Sequence, residues 1–521
     1  MQKSLSKKSI LKKTVAVGGS TLLSRILGLV RTIFETRYLG AGALSDAFLV
    51  AYKVPNFLRK IFAEGALSAA IMPRLVLLAK EKEYNQISKL ITLMLMIIEA
   101  LLFAVCLLVV AFPQPIVLFT APGFAAKPVE LASAVALLRI LMFFVFFISS
   151  SALLSGALQA VHHFAIPAFS PALLNIIYIA GLSLCWYFKL PVPYLAFFVL
   201  LGGLLQLLLH LYMYFKLNFT FARPDKTTYS IFRAIMFKFL PCIVTMSAME
   251  ISLYIDSQFA SYLPEGSISL VTYASRFMGI PLGIFGAAFS TILLPHFSRI
   301  SSYAPKRLSF YLFESTKLII YLTLPALILM GYFSYEIFFT LFKNFSLSQV
   351  HESAWLLRLF LSGLFFFSIN KILLSLYYSL NNTLLPTLIT LTATVGNTLF
   401  NWFFIGFLGS YGLALGTALS GLIQTVLFFW ILRAKFNFTL YWGALARFFT
   451  HYMLQLGSLT TVFFIVYKLI LTAIKTLPAT YVHLLLDTVG LWFWVGPLSL
   501  AFFGLLYITR SQFGIKLYFL D

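Results

Sequence analysis

Apolar residues along this chain run in blocks of helix length, each closed by a short polar or Pro/Gly-containing break. A helix that crosses a bilayer needs about 20 predominantly apolar residues. Blocks long enough recur fourteen times, over 14–38, 46–78, 87–112, 131–161, 165–188, 194–215, 231–262, 268–298, 308–342, 354–380, 384–408, 412–432, 448–472 and 484–508. Pro55 predicts a break in the second. Several blocks exceed the bilayer's need and must tilt or project from it. The pattern predicts an all-α polytopic membrane protein with fourteen transmembrane helices.

Composition supports that class. Of 521 residues, 61% are hydrophobic and only 10% charged, outside the range of soluble domains. The net charge of +22 would suggest nucleic acid in a soluble protein, but here the cations must first be placed on the membrane map. Starting inside and alternating, the inside segments and span ends hold 23 of the 38 Lys and Arg, the outside segments 5, and the spans 10. That asymmetry follows the positive-inside rule, with both termini cytoplasmic. The charge then marks topology and attraction to anionic inner-leaflet lipid, and no nucleic-acid partner is expected. The basic N-terminus has no small-residue cleavage site after it and reads as a cytoplasmic anchor. The three cysteines lie far apart in apolar runs and read as small hydrophobes.

Three short segments recur in order. IFAEGALSAAIMP ending at Pro73 matches IFGAAFSTILLP ending at Pro295, 222 residues on. LLSGALQAVHHFAIP ending at Pro167 matches LLSLYYSLNNTLLP ending at Pro386, 219 on, and Gln206 matches Gln424, 218 on. Six helices separate the copies, so both have the same orientation in the membrane, a parallel repeat with a site expected between the lobes. The expected domains are a first lobe over 1–217, a second over 218–435, and an added helix pair over 436–521.

The stretch from Ser24 to Arg74 is apolar yet holds Arg25, Arg31, Asp46, Lys53, Arg59, Lys60 and Glu64. A charge at the bilayer centre costs roughly 3 kcal/mol on insertion scales, so such residues face a bundle interior or a watery cavity. The bland alternative is snorkelling to the interface. It suits Lys53 and Lys60 better than Arg25 and Arg31, which lie two turns apart on one helix face. The second copy keeps Arg276. Arginine stays charged when poorly solvated and meets phosphate oxygens in a bidentate fork. Arg25, Arg31, Arg59 and Arg276, with Asp46 and Glu64 as partial counter-charges, therefore point to an anion, most simply a phosphate or diphosphate. Structural pairing of every arginine is disfavoured by the 16 acids in the chain. Glu99, Arg139, Arg358, Lys371 and Lys468 read as structural, and His162 and His163 as a turn. Asn397 and Asn401 share a helix face, and with Asp256 and Thr417 they offer oxygens that suit a hard cation or ordinary interhelical packing.

SRILGLVR at 24–31, DAF at 46–48, PNFLRKIFAEGALSAAIMP at 55–73 and YASRFMGIPLGIFGAAFSTILLP at 273–295 resemble the MurJ (MviN) family of lipid II flippases in the MOP transporter superfamily. The resemblance covers essentially the whole chain. It implies a transporter, not an enzyme, in the bacterial inner membrane. Such a protein moves lipid II from the cytoplasmic to the periplasmic leaflet by rocking between inward-open and outward-open states. Its expected company is membrane lipid and cell-wall synthesis proteins, and it is expected to act as a monomer. Carried over by motif, Arg25, Arg31, Arg59 and Arg276 engage the diphosphate and adjoining headgroup, and Ser24, Asp46, Asn56 and Glu64 support the cavity. The last two helices form a groove for the polyprenyl tail. The resemblance also implies a sodium site on Asp256, Asn397, Asn401 and Thr417 with the Leu413 carbonyl, as coupling ion and only cofactor. A carboxylate is expected where Asn401 stands, which weakens that site. Ser275 and Gly279 stand where the family often has acids. Competing readings are a flippase for another polyprenyl-diphosphate glycan, a cation-coupled exporter of the same superfamily, a non-transporting scaffold, and a membrane enzyme acting on lipid diphosphates.

Overall fold

The computed structural model describes residues 7–64, 66–287, 293, 296–301, 307–380, 382–439 and 441–519. Every regular element among them is helical. Hydrocarbon offers no water to backbone N–H and C=O groups, so a chain this apolar closes its hydrogen bonds within helices. The chain divides into two compact units, Met1–Ser269 and Leu270–Asp521.

The first unit holds α1 (Lys7–Leu39), α2 (Ala43–Arg59), α3 (Ala66–Lys80), α4 (Tyr84–Ala111), α5 (Pro113–Thr120), α6 (Pro128–Leu141), α7 (Phe144–Ala160), α8 (Ala165–Tyr187), α9 (Val192–Lys216) and α10 (Lys226–Ala260). α1 packs along α8, α8 along α9, α2 on α6 and α7 on α9. α11 (Ser267–Pro281) starts at the boundary. The second unit continues with α12 (Leu308–Tyr332), α13 (Ser334–Leu341), α14 (Leu347–Ser362), α15 (Leu364–Ser379), α16 (Leu384–Leu408), α17 (Ser410–Phe436), α18 (Trp442–Lys475), α19 (Ala479–Leu486) and α20 (Leu491–Thr509).

Helix covers most described residues of the fourteen apolar blocks, but turns interrupt those over 131–161, 308–342, 354–380 and 484–508. Among the described residues, ten helical segments are long and apolar enough to cross a membrane, and α14 with α15, bent by 41°, makes an eleventh. The expected spans outside that set are α1, α2 with α3, and α10. These carry Arg25, Arg31, Asp46, Arg59 and Asp256. The molecule is a multi-pass membrane protein, and its large exposed apolar side chains, such as Leu399, Trp402, Phe403 and Phe407 on α16, form the face that lipid covers.

The repeated IFAEGA and IFGAAF segments share a backbone irregularity. Pro55 lies inside α2, and the chain then winds as a π-helix over Lys60–Glu64 before α3. Pro281 closes α11, and a second π-helix spans Leu282–Ala287. Proline removes an N–H and its ring crowds the preceding turn. Single π turns inside α-helices commonly mark functional positions.

In the second unit the last helices are bonded to α12. Tyr452 Oη donates to the Tyr321 carbonyl at 2.7 Å, and Tyr321 Oη donates to the Leu506 carbonyl at 2.6 Å. Gln455 Nε2 donates to the same Leu506 carbonyl at 2.7 Å and to Thr509 Oγ1 at 2.8 Å.

Candidate functional site

Arg31 projects from the middle of α1 and is half-buried. Its Nη1 donates to Asn175 Oδ1 of α8 at 3.1 Å, and Asn175 Nδ2 donates in turn to the Ser24 carbonyl at 3.2 Å. The guanidinium carbon sits 5.1 Å from the centroid of the Tyr178 ring, one turn along α8 from Asn175. The Nε of Arg31 is buried without a hydrogen-bond partner. Arg31 is thus held by a neutral amide and an aromatic face, and among the described residues no carboxylate neutralises it. An arrangement that orients a guanidinium while leaving its charge uncompensated is suited to receive an anion. Ser24 enters this network through its backbone carbonyl. Arg25 is exposed; six residues carry it about 240° round α1 from Arg31, so the two do not share the one face expected of them.

Arg59 closes α2, and its Nε and Nη2 both donate to Asn56 Oδ1, at 3.0 and 2.9 Å. The pair is local, one helical turn apart, and Arg59 lines a small cavity with residues of α7, α8 and α9. The backbone of Glu64 ends the π turn, while its side chain lies outside the described residues.

Asp46, in the first turn of α2, is 2% exposed. Its Oδ2 accepts from Gly266 N at 2.8 Å. Its Oδ1 accepts from Ser269 N at 2.8 Å and from Ser269 Oγ. The first amides of a helix have no partner within it, and the positive end of the helix dipole favours a carboxylate there. Asp46 therefore binds the start of α11. Gly266 takes φ +87°, and a Cβ there would lie 2.8 Å from the Ala41 carbonyl oxygen, so only glycine fits.

In the second unit Arg276 is half-buried on α11, its guanidinium carbon 5.4 Å from the centroid of Tyr273. Four of the five residues of the expected sodium site also lie in this unit. Asn401 Nδ2 donates to Asn397 Oδ1 at 3.4 Å, Asn397 Nδ2 to Thr417 Oγ1 at 3.3 Å, and Thr417 Oγ1 to the Leu413 carbonyl at 2.9 Å. Asp256 lies on α10 in the first unit and is half-buried. A hard cation needs several oxygens turned toward it. In this cluster the Asn397, Thr417 and Leu413 oxygens already accept protein hydrogens, and Asn401 supplies an amide where a carboxylate is expected. As arranged, hydrogen bonds join the four between α16 and α17.

Two of the intramembrane polar residues read as structural, Glu99 and Arg358, have partners of that kind. Glu99 Oε1 accepts from Ser149 and Ser150 at 2.6 and 2.8 Å, and Arg358 Nε donates to the Gly331 carbonyl at 3.0 Å.

The second unit also contains an apolar groove of about 490 Å³. It is lined along α12, α15, α17 and α18, with Phe313, Phe366, Phe429 and Trp442 among its walls and Arg433 in its lining.

The sequence model described as "Lipid II flippase MurJ" matches residues 36–489. The chain belongs to the lipid II flippase MurJ family. Curated MurJ relatives include a probable lipid II flippase of Vibrio cholerae, 33% identical over 444 residues, covering 81% of this chain and 82% of that protein. One from Buchnera aphidicola subsp. Acyrthosiphon pisum is 32% identical over 423 residues, covering 80% and 83%. The fold matches a solved MurJ in an inward closed conformation with TM-score 0.76 at 22% identity, covering 96% of this chain and 99% of that one. It also matches an inward-facing multidrug-resistance MATE transporter of the MOP superfamily, with TM-score 0.66 at 14% identity, covering 81% and 98%. MurJ membership makes the protein a transporter in class, and the MATE likeness concerns fold alone.

Sequence reading missed the neutral partners Asn175 and Tyr178, the Asp46 acceptors' donors at Gly266 and Ser269, and the side chains that share the Arg59 cavity. Asn175 carried a usable signal, being a lone amide inside an apolar run.

Proposed function

We propose that this protein is a lipid II flippase of the bacterial inner membrane, carrying the undecaprenyl-diphosphate-linked precursor of peptidoglycan from the cytoplasmic to the periplasmic leaflet. The observation that carries the reading is Arg31: an oriented guanidinium inside an apolar helix, with neutral partners and an unused Nε, in a chain whose relatives bear the name lipid II flippase. On this reading Arg25, Arg31, Arg59 and Arg276 engage the diphosphate. Ser24 and Asn56 steady the arginines, Asp46 fixes the backbone around them, and Glu64 supplies counter-charge. The groove in the second unit takes part of the prenyl tail, so the charged headgroup crosses in a polar chamber while the tail stays in apolar surroundings.

Transport needs the arginines to hold the headgroup more weakly after the change of state, because a ligand with equal affinity for both states shifts no equilibrium. Both termini lie in the cytoplasm on this reading, and the protein acts as a monomer. The exporter alternative wants a cleft dominated by acids, whereas among the described residues no carboxylate pairs with Arg31.

The test is reconstitution of the purified chain in liposomes with fluorescent lipid II, reading its transfer between leaflets. Wild-type transfer abolished in Arg31→Ala supports the reading. Absence of transfer by the wild type, alongside active flipping of another polyprenyl-diphosphate glycan, would replace lipid II with that glycan.

A further inference from the structure

The cavity beside Arg59 has about 130 Å³ of space, and Ser151, Ser155 and Ser170 are among its walls. A serine inside an apolar helix commonly turns its O–H back to a carbonyl three or four residues earlier. Ser151 does so toward the Phe147 carbonyl at 2.6 Å, and Ser170 toward the Pro167 carbonyl at 3.3 Å. Ser155 does not. Its Oγ accepts from Gln159 Nε2 at 2.9 Å, one turn along α7, and among the described residues its own proton has no acceptor. The Gln159 amide occupies a lone pair of that hydroxyl and leaves the proton to point elsewhere. Ser155 and Arg59 are both half-buried, so each keeps surface open to the space it lines.

The repeat supplies a control inside the same molecule. LLS at 153–155 corresponds to LLS at 373–375, so Ser375 is the counterpart of Ser155. Ser375 Oγ donates to the Lys371 carbonyl, four residues earlier, at 3.2 Å. Gln159 has Ser379 for a counterpart, and that hydroxyl donates to the Leu376 carbonyl at 2.6 Å. With the IF pairs at 61–62 and 284–285 aligned, Arg59 corresponds to Leu282. The copy without the arginine thus has its serine turned onto its own helix. The copy with the arginine has a glutamine that leaves the serine proton unspent. A guanidinium and an unspent O–H on one small space are complementary to an oxyanion.

We propose that Ser155 is a further anion-binding residue of this protein, donating its hydroxyl hydrogen to a phosphate oxygen held by Arg59, with Gln159 as the positioning residue that orients it. The space equals about four waters at ~30 Å³ each, enough for one phosphate group and too little for a sugar ring beside it. The subsite therefore grips the headgroup at its diphosphate and leaves the glycan outside. The inference rests on the flippase reading and adds to it a neutral donor that works beside the arginine.

The test is native mass spectrometry of the full chain with undecaprenyl diphosphate and, as a probe without phosphate, undecaprenol. Ser155→Ala is expected to weaken retention of the diphosphate lipid about tenfold, the share of one charge-assisted hydrogen bond. Retention of undecaprenol and the thermal midpoint are expected to stay unchanged, which reports an intact fold. Ser155→Thr keeps the hydroxyl and is expected to bind close to wild type. Gln159→Glu presents only acceptors, draws the serine proton onto itself, and is expected to weaken the diphosphate lipid at least as much as Ser155→Ala. Adding Ser155→Ala to Gln159→Glu is then expected to cost nothing further, because the donor is already lost. Full retention in Ser155→Ala, an equal loss in Ser155→Thr, an equal loss of undecaprenol, or strict additivity of Ser155→Ala and Gln159→Glu would overturn the subsite alone. Failure of the wild type to retain undecaprenyl diphosphate would overturn the flippase reading with it.

Discussion

Asp46 and Ser269 are 223 residues apart in sequence, and both the backbone amide and the hydroxyl of Ser269 donate to one carboxylate oxygen of Asp46. The other oxygen holds the Gly266 amide at 2.8 Å. Charge-assisted bonds of this kind contribute about 1.5–3 kcal/mol each. Asp46→Ala is expected to strand two buried amides and lower the thermal midpoint by several degrees, whereas Ser269→Ala keeps its amide bond and is expected to shift it far less. Thermal unfolding of the two purified variants side by side decides this; equal effects would mean that the carboxylate does not anchor the start of α11.

Gly266 tests the same anchor through the backbone. Gly266→Ala must place a Cβ against the Ala41 carbonyl at a positive φ. It is expected to destabilise the protein nearly as much as Asp46→Ala, and the double variant little more than either alone, because both break one connection. Strict additivity of the two losses would contradict this.

Arg31→Ala and Arg25→Ala are expected to abolish transport while leaving the protein folded and inserted. Full complementation of a flippase-depleted strain by both would refute the proposed role. Arg31→Lys is expected to be poor as well, since a lysine offers no planar fork. Asn175→Leu keeps the charge and removes the orienting bond, and is expected to reduce transport without abolishing it.

The N-terminal end of α10 is expected to sense acid. Lys89 Nζ lies 2.7 Å from Asp225, and Thr228 also donates to this carboxylate. The lysine first, and the threonine after it, hold the Asp225 carboxyl well below the usual carboxylate range. A depressed folded-state value stabilises the fold above the unfolded value, near ~3.9, and the benefit fades as pH falls below it. The gap in thermal midpoint between wild type and Asp225→Asn is thus expected to be steady from neutral pH to about 5 and to narrow in stronger acid. The site is solvent-exposed, so the gap should be small and shrink with salt.

The self-paired Asn397, Asn401 and Thr417 cluster leads to a further expectation. Replacing sodium by potassium in the liposome assay should leave the transport rate unchanged, since no step of the proposed cycle passes through that cluster. A steep dependence on sodium would require the amides to turn and admit the ion.

Helical segments, repeat and family were legible because each is written in local pattern: apolar blocks of bilayer length, punctuation by proline and glycine, and a dense motif around Pro55–Pro73. The candidate arginines were legible because charge in an apolar run is costly and therefore rare. What gave no local signal was their company. Asn175 reaches Arg31 across 144 positions, and nothing in the neighbourhood of Asp46 announces Gly266 or Ser269. Gln206 was visible only as a marker of the repeat.

The π turn at Lys60–Glu64 sets the phase of everything after it. Upstream, α2 buries Phe48, Ala51 and Pro55; downstream, α3 buries Leu67, Ile71, Leu75 and Leu78 and leaves Pro73 exposed. A regular helix carried forward from the first set would put position 73, not 71 and 75, on that stripe. One surplus residue, worth about 100° of rotation at 3.6 per turn, brings the two seams closer together. Deleting any single residue there would turn the whole of α3 about its axis, so a shortened chain should fare worse than one with any of those five side chains replaced.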